Sequence, residues 1–204
     1  MEKSLKRMAT LHRIQMKGLE LFYSKGYDHT SLDDILKALD LSKGAFYYHF
    51  QSKEDLMISI AENVLFRKVY SMLIEPLEGQ SDPFLAIERC LGDALETAEN
   101  NELDFGCVLG NFRNQFVGRN AAITKRLDDI YKVLEVNLVS LLQKGKTDGY
   151  LPRHLDSEGI ATFVMSSYFG VRSLMASGNG RMLRYQYMQQ LHAYFRAMVA
   201  SPVG

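Results

Sequence analysis

The sequence predicts an all-α protein of about nine helices, and three observations carry that prediction. Apolar residues recur at three- and four-residue spacing through nearly every segment. Capping residues and turn formers stand between those segments at regular intervals. No stretch shows the alternation of a half-buried strand, and there is no low-complexity tract or sequence repeat.

Leu11, Ile14, Gly18, Leu21 and Phe22 share one helical face, and Gly26 ends that helix. Thr30-Ser31 followed by Asp33-Asp34 supplies hydroxyl caps and first-turn acids for a second helix. It carries Ile35, Leu36 and Leu39 to a break at Asp40-Leu41. Ser42 caps a third, very short helix ending around Phe50. Ser52-Lys53-Glu54-Asp55 opens a fourth, with Leu56, Ile60 and Val64 on one face, which stops before Pro76.

Asp82-Pro83 places a cap before a proline at the first helical position and opens a helix to about Glu99. A short helix is predicted over Gly106–Phe116, and a long one over Ala121–Lys146 closed by Asp148-Gly149. Another runs from Asp156 to Ser177. Gly178-Asn179-Gly180 separates it from the last, Met182–Ala200.

With 204 residues and 47% hydrophobic content the chain has enough apolar material for a substantial core. Two cysteines are too few for a disulfide framework and point to a reducing, cytoplasmic setting. No apolar run reaches membrane-spanning length, and Met1–Arg7 lacks the apolar stretch of a signal peptide, so no membrane partner is expected. Net charge is zero, but its distribution is uneven. Residues 1–53 hold nine Lys/Arg against six Asp/Glu, with His12, His29 and His49 in addition, while residues 54–204 hold fifteen against eighteen. The basic end is a candidate for a polyanion.

That end also carries the most informative segment, Thr30–Lys53, in which a tight break joins two helices. The second is small and bears Lys43, Tyr47, Tyr48 and His49, all donors or stacking surfaces. A helix-turn-helix needs this layout, one helix positioning the next in the major groove of double-stranded DNA. Ser42-Lys43-Gly44 offers free backbone N–H groups and a cation at a helix start, and Gly44 permits close approach.

Gly26-Tyr27-Asp28-His29-Thr30-Ser31, followed by Ser42-Lys43-Gly44-Ala45-Phe46-Tyr47-Tyr48-His49-Phe50-Gln51-Ser52-Lys53-Glu54-Asp55-Leu56, resembles the signature of TetR-type regulators over the first third of the chain. The resemblance implies a helix-turn-helix domain over residues 6–66 and a ligand-binding and dimerisation domain over 67–204. It places Thr30, Tyr48, His49 and Lys53 at backbone phosphates and Lys43, Gly44 and Tyr47 at base edges. Ser31, Ser42 and Ala45 complete the DNA-binding set, and Ile35, Phe46 and Phe50 form the small core beneath it. Asp40 stands where the family usually has Gly, a turn position at which Asp tolerates the left-handed conformation. Ala45 stands where Thr is common, which favours apolar contact with a thymine methyl.

Phe105-Gly106-Cys107-Val108-Leu109-Gly110-Asn111-Phe112 resembles a stretch that many TetR-type regulators carry beside their ligand cavity. Cys107 reads as a small buried hydrophobe, with a thiol that senses electrophiles or oxidants as the alternative. Phe66, Tyr70, Cys107, Phe112, Phe116, Tyr131 and Phe163 are the candidate ligand-binding residues. With no dense charge cluster in view, a neutral or weakly polar organic ligand is expected. No two His stand at i,i+3 or i,i+4, so no metal site is expected, and no cofactor is implied. The last two helices are rich in small and apolar residues and are the expected homodimer surface.

The implied function is a ligand-responsive repressor that binds a palindromic operator as a homodimer. An activator of the same type, or a helical small-molecule carrier without DNA binding, stays open. An enzyme is not expected, because no catalytic triad order, paired carboxylates or Gly-rich phosphate loop is present.

Overall fold

The computed structural model describes residues 2–101 and 106–200, which leaves Phe105 outside the described residues. Helices account for most of it, and no strand occurs among the described residues. α1 spans Glu2–Lys25, α2 Leu32–Leu39 and α3 Lys43–Tyr47. α4 covers residues 53–77, starting at Lys53 and passing Pro76 by tightening into a 3-10 turn, Glu75–Leu77. α5 is Pro83–Asn101, α6 Val108–Phe116, α7 Ala121–Thr147, α8 Ser157–Leu174 and α9 Gly180–Ala200.

α4 departs from a regular helix in a way that periodicity did not predict. The Phe66 N–H reaches back five residues to the Ala61 carbonyl, and the Glu75 N–H to that of Tyr70. These are two π-type turns, a geometry that recurs at functional sites.

The chain divides into two compact units. One holds Met1–Lys68 together with Asn111–Asp129, and the other Val69–Gly110 together with Ile130–Gly204.

In the first unit Ile14 and Phe22 of α1 are fully buried, with Ile35, Phe46, Leu56, Met57 and Ile60. Gly18 lets α1 and α4 approach, since a Cβ there would stand 3.0 Å from Leu56 Cδ2 and 3.2 Å from Ile60 Cδ1. Gln15 is buried on that same interface, and its amide donates to Ser59 Oγ at 2.9 Å, so burial leaves no bare donor. Ser31 and Asp34 form a reciprocal capping box that starts α2. Asp40 ends it at φ 52°, ψ 51°, the left-handed turn expected of that position and the only positive φ outside glycine among the described residues. α6 and the start of α7 add to this unit: the Phe116 ring meets Tyr27 edge-on at 4.8 Å, and Phe112 lies 6.3 Å from Tyr23.

In the second unit one apolar core gathers Ile87, Leu91 and Leu95 of α5, Leu134, Leu138 and Leu142 of α7, Ile160, Val164 and Tyr168 of α8, and Leu191 and Phe195 of α9. Phe84 stacks on Phe195 with ring centroids 4.2 Å apart. The Asp82 carboxylate accepts from the Leu85 N–H and starts α5, as its position before Pro83 predicts. Asp156 does the same for α8, accepting from Glu158 and Gly159. α7 crosses α5 at Gly145, where a Cβ would overlap the ring of Pro83.

Candidate functional site

α3 splits its side chains cleanly. Its cap is Ser42, whose hydroxyl accepts from the Ala45 N–H at 3.2 Å. Phe46 points inward with no exposed surface, and Phe50 follows one turn later, 5.5 Å from it. Lys43, Gly44, Tyr47 and Tyr48 are left on the outer face, and Ala45 is half-buried beside them. Tyr47 and Tyr48 keep 57% and 66% of their surface in solvent, large rings left mostly exposed.

At Gly44 an added Cβ would meet only Ser42 Oγ, at 3.8 Å. The packing around α3 therefore does not require a glycine there. Lys43 Nζ stands 3.1 Å from Asp33 Oδ1, both side chains more than half exposed. Such a pair is worth at most about 1 kcal/mol and yields readily to a phosphate. Arg7 of α1 lies over the Tyr48 ring, 5.4 Å from its centroid, and brings a further cation to this face. The sequence reading missed Arg7 because no local pattern ties position 7 to position 48.

His49 is half-buried with Nδ1 lacking a partner, and burial, with Arg7 nearby, holds its pKa below the usual imidazole value. Ser31 is exposed and engaged with Asp34, to which its N–H and hydroxyl both donate. Thr30 lies inside: its hydroxyl contacts the Gly26 carbonyl at 2.9 Å and the Leu21 carbonyl at 3.2 Å. Lys53 is half-buried and donates to the carbonyls of Tyr27 and Thr30 at 3.0 and 3.2 Å. Two of its three protons are thus committed within the fold. Tyr27 is held in turn by Gln115, which accepts its N–H at 3.1 Å, and Arg119 pairs with the neighbouring Asp28 at 2.6 Å. Burial pushes the Tyr27 phenol up to about 12.

The second unit contains a narrow apolar cavity of about 10 Å³. Leu73 and Leu77 of α4, Ile87, Cys90 and Leu91 of α5, Leu134 and Leu138 of α7, and Val164, Met165 and Tyr168 of α8 line it. That is room for about one water molecule. The Cys90 thiol reaches the Met72 carbonyl at 3.3 Å, and burial, reinforced by Asp93, pushes its pKa up to about 12.

None of the seven candidate ligand residues lines this cavity. Phe112 and Phe116 are buried in the first unit, and Phe66 is half-buried on α4. Tyr70 is half-buried and its hydroxyl bonds the Glu78 carboxylate. Tyr131 meets Phe169 edge-on at 4.9 Å, and Cys107 is half-buried just before α6. Phe163 is 43% exposed and packs on Tyr194. Besides Tyr168, Met165 and Cys90 the cavity is lined by aliphatic residues, whose pattern is that of any core. Among the described residues no group of three or more His, Cys, Asp or Glu is placed to hold a metal ion, and no helix is long and apolar enough to cross a membrane.

Residues 17–60 match the family described as bacterial regulatory proteins, tetR family. Over 155 residues, 76% of either chain, the protein is 25% identical to the HTH-type transcriptional repressor DhaR of Mycobacterium sp. (strain GP1). Its fold is shared with a TetR transcriptional regulator from Chloroflexus aurantiacus, at TM-score 0.84 and 24% identity over 95% of this chain and 98% of that one. It is shared also with FadR of Bacillus subtilis, solved in complex with stearoyl-CoA, at TM-score 0.71 and 14% identity over 94% and 99%. With its motif, its helix-turn-helix geometry and these relatives in agreement, the N-terminal domain is that of the tetR family of bacterial regulatory proteins, and the chain as a whole is similar to TetR-type regulators.

Proposed function

We propose that the protein is a homodimeric repressor that reads a palindromic operator with α3 in the major groove and leaves it when a small organic ligand fills the C-terminal unit. The observation that carries this reading is the division of α3, with Phe46 and Phe50 inside and Lys43, Gly44, Tyr47 and Tyr48 outside. Tyr47 and Lys43 face the bases and Gly44 admits the DNA backbone. Tyr48, His49 and Arg7 serve the phosphates. Lys53 has one proton left for a phosphate while it secures the turn before α2.

Support for the dimer comes from α8 and α9, which expose Phe163, Leu174, Met182 and Tyr185 to solvent. Gly170 stands between them with open space over it. Faces this apolar are covered in stable helical assemblies. Support for ligand control comes from α4, one helix that supplies Leu56 and Ile60 to the core of the first unit and Leu73 and Leu77 to the cavity of the second. A hundredfold release requires about 2.7 kcal/mol of preference for the DNA-free state.

Fluorescence anisotropy of the full-length protein on duplexes enriched from a random pool tests the reading. Phosphate contacts impose a linear fall of log affinity with log salt, with a slope of about −0.9 per contact. A flat salt response, or no enriched duplex, leaves the carrier reading in its place. Sedimentation of Leu174→Arg tests the dimer, and an undisturbed dimer moves the interface away from α8 and α9.

A further inference from the structure

We infer that Asp33 is a specificity-determining residue of the DNA face, holding Lys43 at the base edges and away from the phosphates. This rests on reading α3 as the helix that enters the major groove.

Asp33 and Asp34 stand side by side in the first turn of α2, and the fold uses them differently. Asp34 is taken up by the cap, accepting from the Ser31 N–H at 2.8 Å and from its hydroxyl at 2.6 Å. Asp33 turns instead to the next helix. Its Oδ1 lies 3.1 Å from Lys43 Nζ and its Oδ2 3.5 Å from the same atom. The pair ties the first turn of α2 to the first residue of α3 across ten positions of sequence. Among the described residues Asp33 is the one carboxylate paired with Lys43. A cation at the first position of a helix does nothing for that helix, whose N-terminal end is itself positive.

A carboxylate on a face that meets a polyanion lowers affinity for DNA of any sequence. It favours discrimination. An ammonium has three protons to donate. On an operator Lys43 keeps Asp33 and gives a remaining proton to a base-edge acceptor such as guanine N7 or O6. On other DNA that acceptor is missing and a phosphate is the alternative. To reach it Lys43 must leave Asp33, whose carboxylate then stands unpaired beside the backbone. The cost falls on the wrong sequence alone. Both side chains are more than half exposed, so the pair is weak and the bias is a few-fold.

Fluorescence anisotropy of the full-length protein over a salt series tests this, on a duplex enriched from a random pool and on its scrambled counterpart. Asp33→Asn keeps the shape and removes the charge. It is expected to tighten scrambled-duplex binding roughly two- to fivefold. The salt slope on that duplex should steepen by up to about 0.9, the increment of one new phosphate contact. Affinity for the enriched duplex should change less than about twofold, so the ratio of the two falls. Asp33→Glu should restore most of that ratio. In Lys43→Gln, adding Asp33→Asn should leave the slope where it was, because no ammonium remains to be released. If Asp33→Asn fails to fold, the slopes of Asp33→Ala decide in its place.

Equal tightening on both duplexes, or an unchanged slope on the scrambled one, overturns the inference. The same steepening in Lys43→Gln overturns it too, since Asp33 would then act through its own charge and not through Lys43. Salt-dependent binding of the enriched duplex that Asp33→Asn leaves untouched removes this role of Asp33 and keeps the regulator reading. A protein that ignores duplex DNA removes both.

Discussion

The Lys53 ammonium sits 4.1 Å from the centroid of the Tyr27 ring while donating to the Tyr27 carbonyl at 3.0 Å. One side chain at the start of α4 therefore holds both the ring and the backbone of the turn that leads into α2. Charge-assisted bonds in a half-buried setting and a cation–π contact together make Lys53→Met cost roughly 1–3 kcal/mol of stability. The midpoint of urea unfolding checks this. An unchanged midpoint would return Lys53 to the surface and leave it free for DNA.

Gly44 has open space where its Cβ would be, so Gly44→Ala is expected to keep or raise stability, by up to about 1 kcal/mol. The same methyl should weaken duplex binding roughly tenfold by holding the backbone off the DNA. Melting temperature and anisotropy, measured on one preparation, separate the two effects. Equal duplex affinity would mean that α3 does not approach DNA at Gly44.

Tyr47 is 57% exposed, so Tyr47→Ala should leave the melting temperature within error. If it faces bases, the ratio of operator to scrambled-duplex affinity falls by roughly 5- to 100-fold. A uniform loss on both duplexes would place Tyr47 at the phosphates instead.

Gly145→Ala is expected to destabilise the second unit by about 1–3 kcal/mol, because the added methyl overlaps the Pro83 ring and a proline ring cannot rotate away. Scanning calorimetry checks this, and a wild-type melting temperature would show that α5 and α7 are looser at this crossing than their contact implies.

Burial holds the Cys90 thiol protonated at neutral pH, its pKa pushed up to about 12, whereas Cys107 is only half-buried. N-ethylmaleimide at pH 7.5 should therefore give a single adduct on the folded protein, and peptide mapping should find it on Cys107. Labelling of Cys90 at a comparable rate would mean that the cavity opens readily. Release of DNA by the reagent, lost in Cys107→Ser, would favour the sensing alternative for Cys107.

Arg172, buried on α8, stands in no cluster of charge. In the sequence it is one arginine beside Val171 and Ser173, indistinguishable from the solvated Arg153. Phe112 and Phe116 illustrate the same difficulty. They carry the spacing of core residues, but nothing local says which core, and the structure puts them against Tyr23 and Tyr27.

What the sequence by itself determined was whatever is settled within a turn or two of helix. The caps at Ser31, Ser42, Asp82 and Asp156, the left-handed Asp40 and the inward Phe46 all belong to that class. Each is decided by groups within about four residues, which is why a linear pattern encodes them. Only the tertiary structure decided that Lys53 serves Tyr27 across 26 positions and that Gln115 holds the Tyr27 N–H across 88. The burial of Arg172 is of the same kind. Such contacts follow from how whole helices pack, and the periodicity of a helix records which face is apolar but not which neighbour it meets.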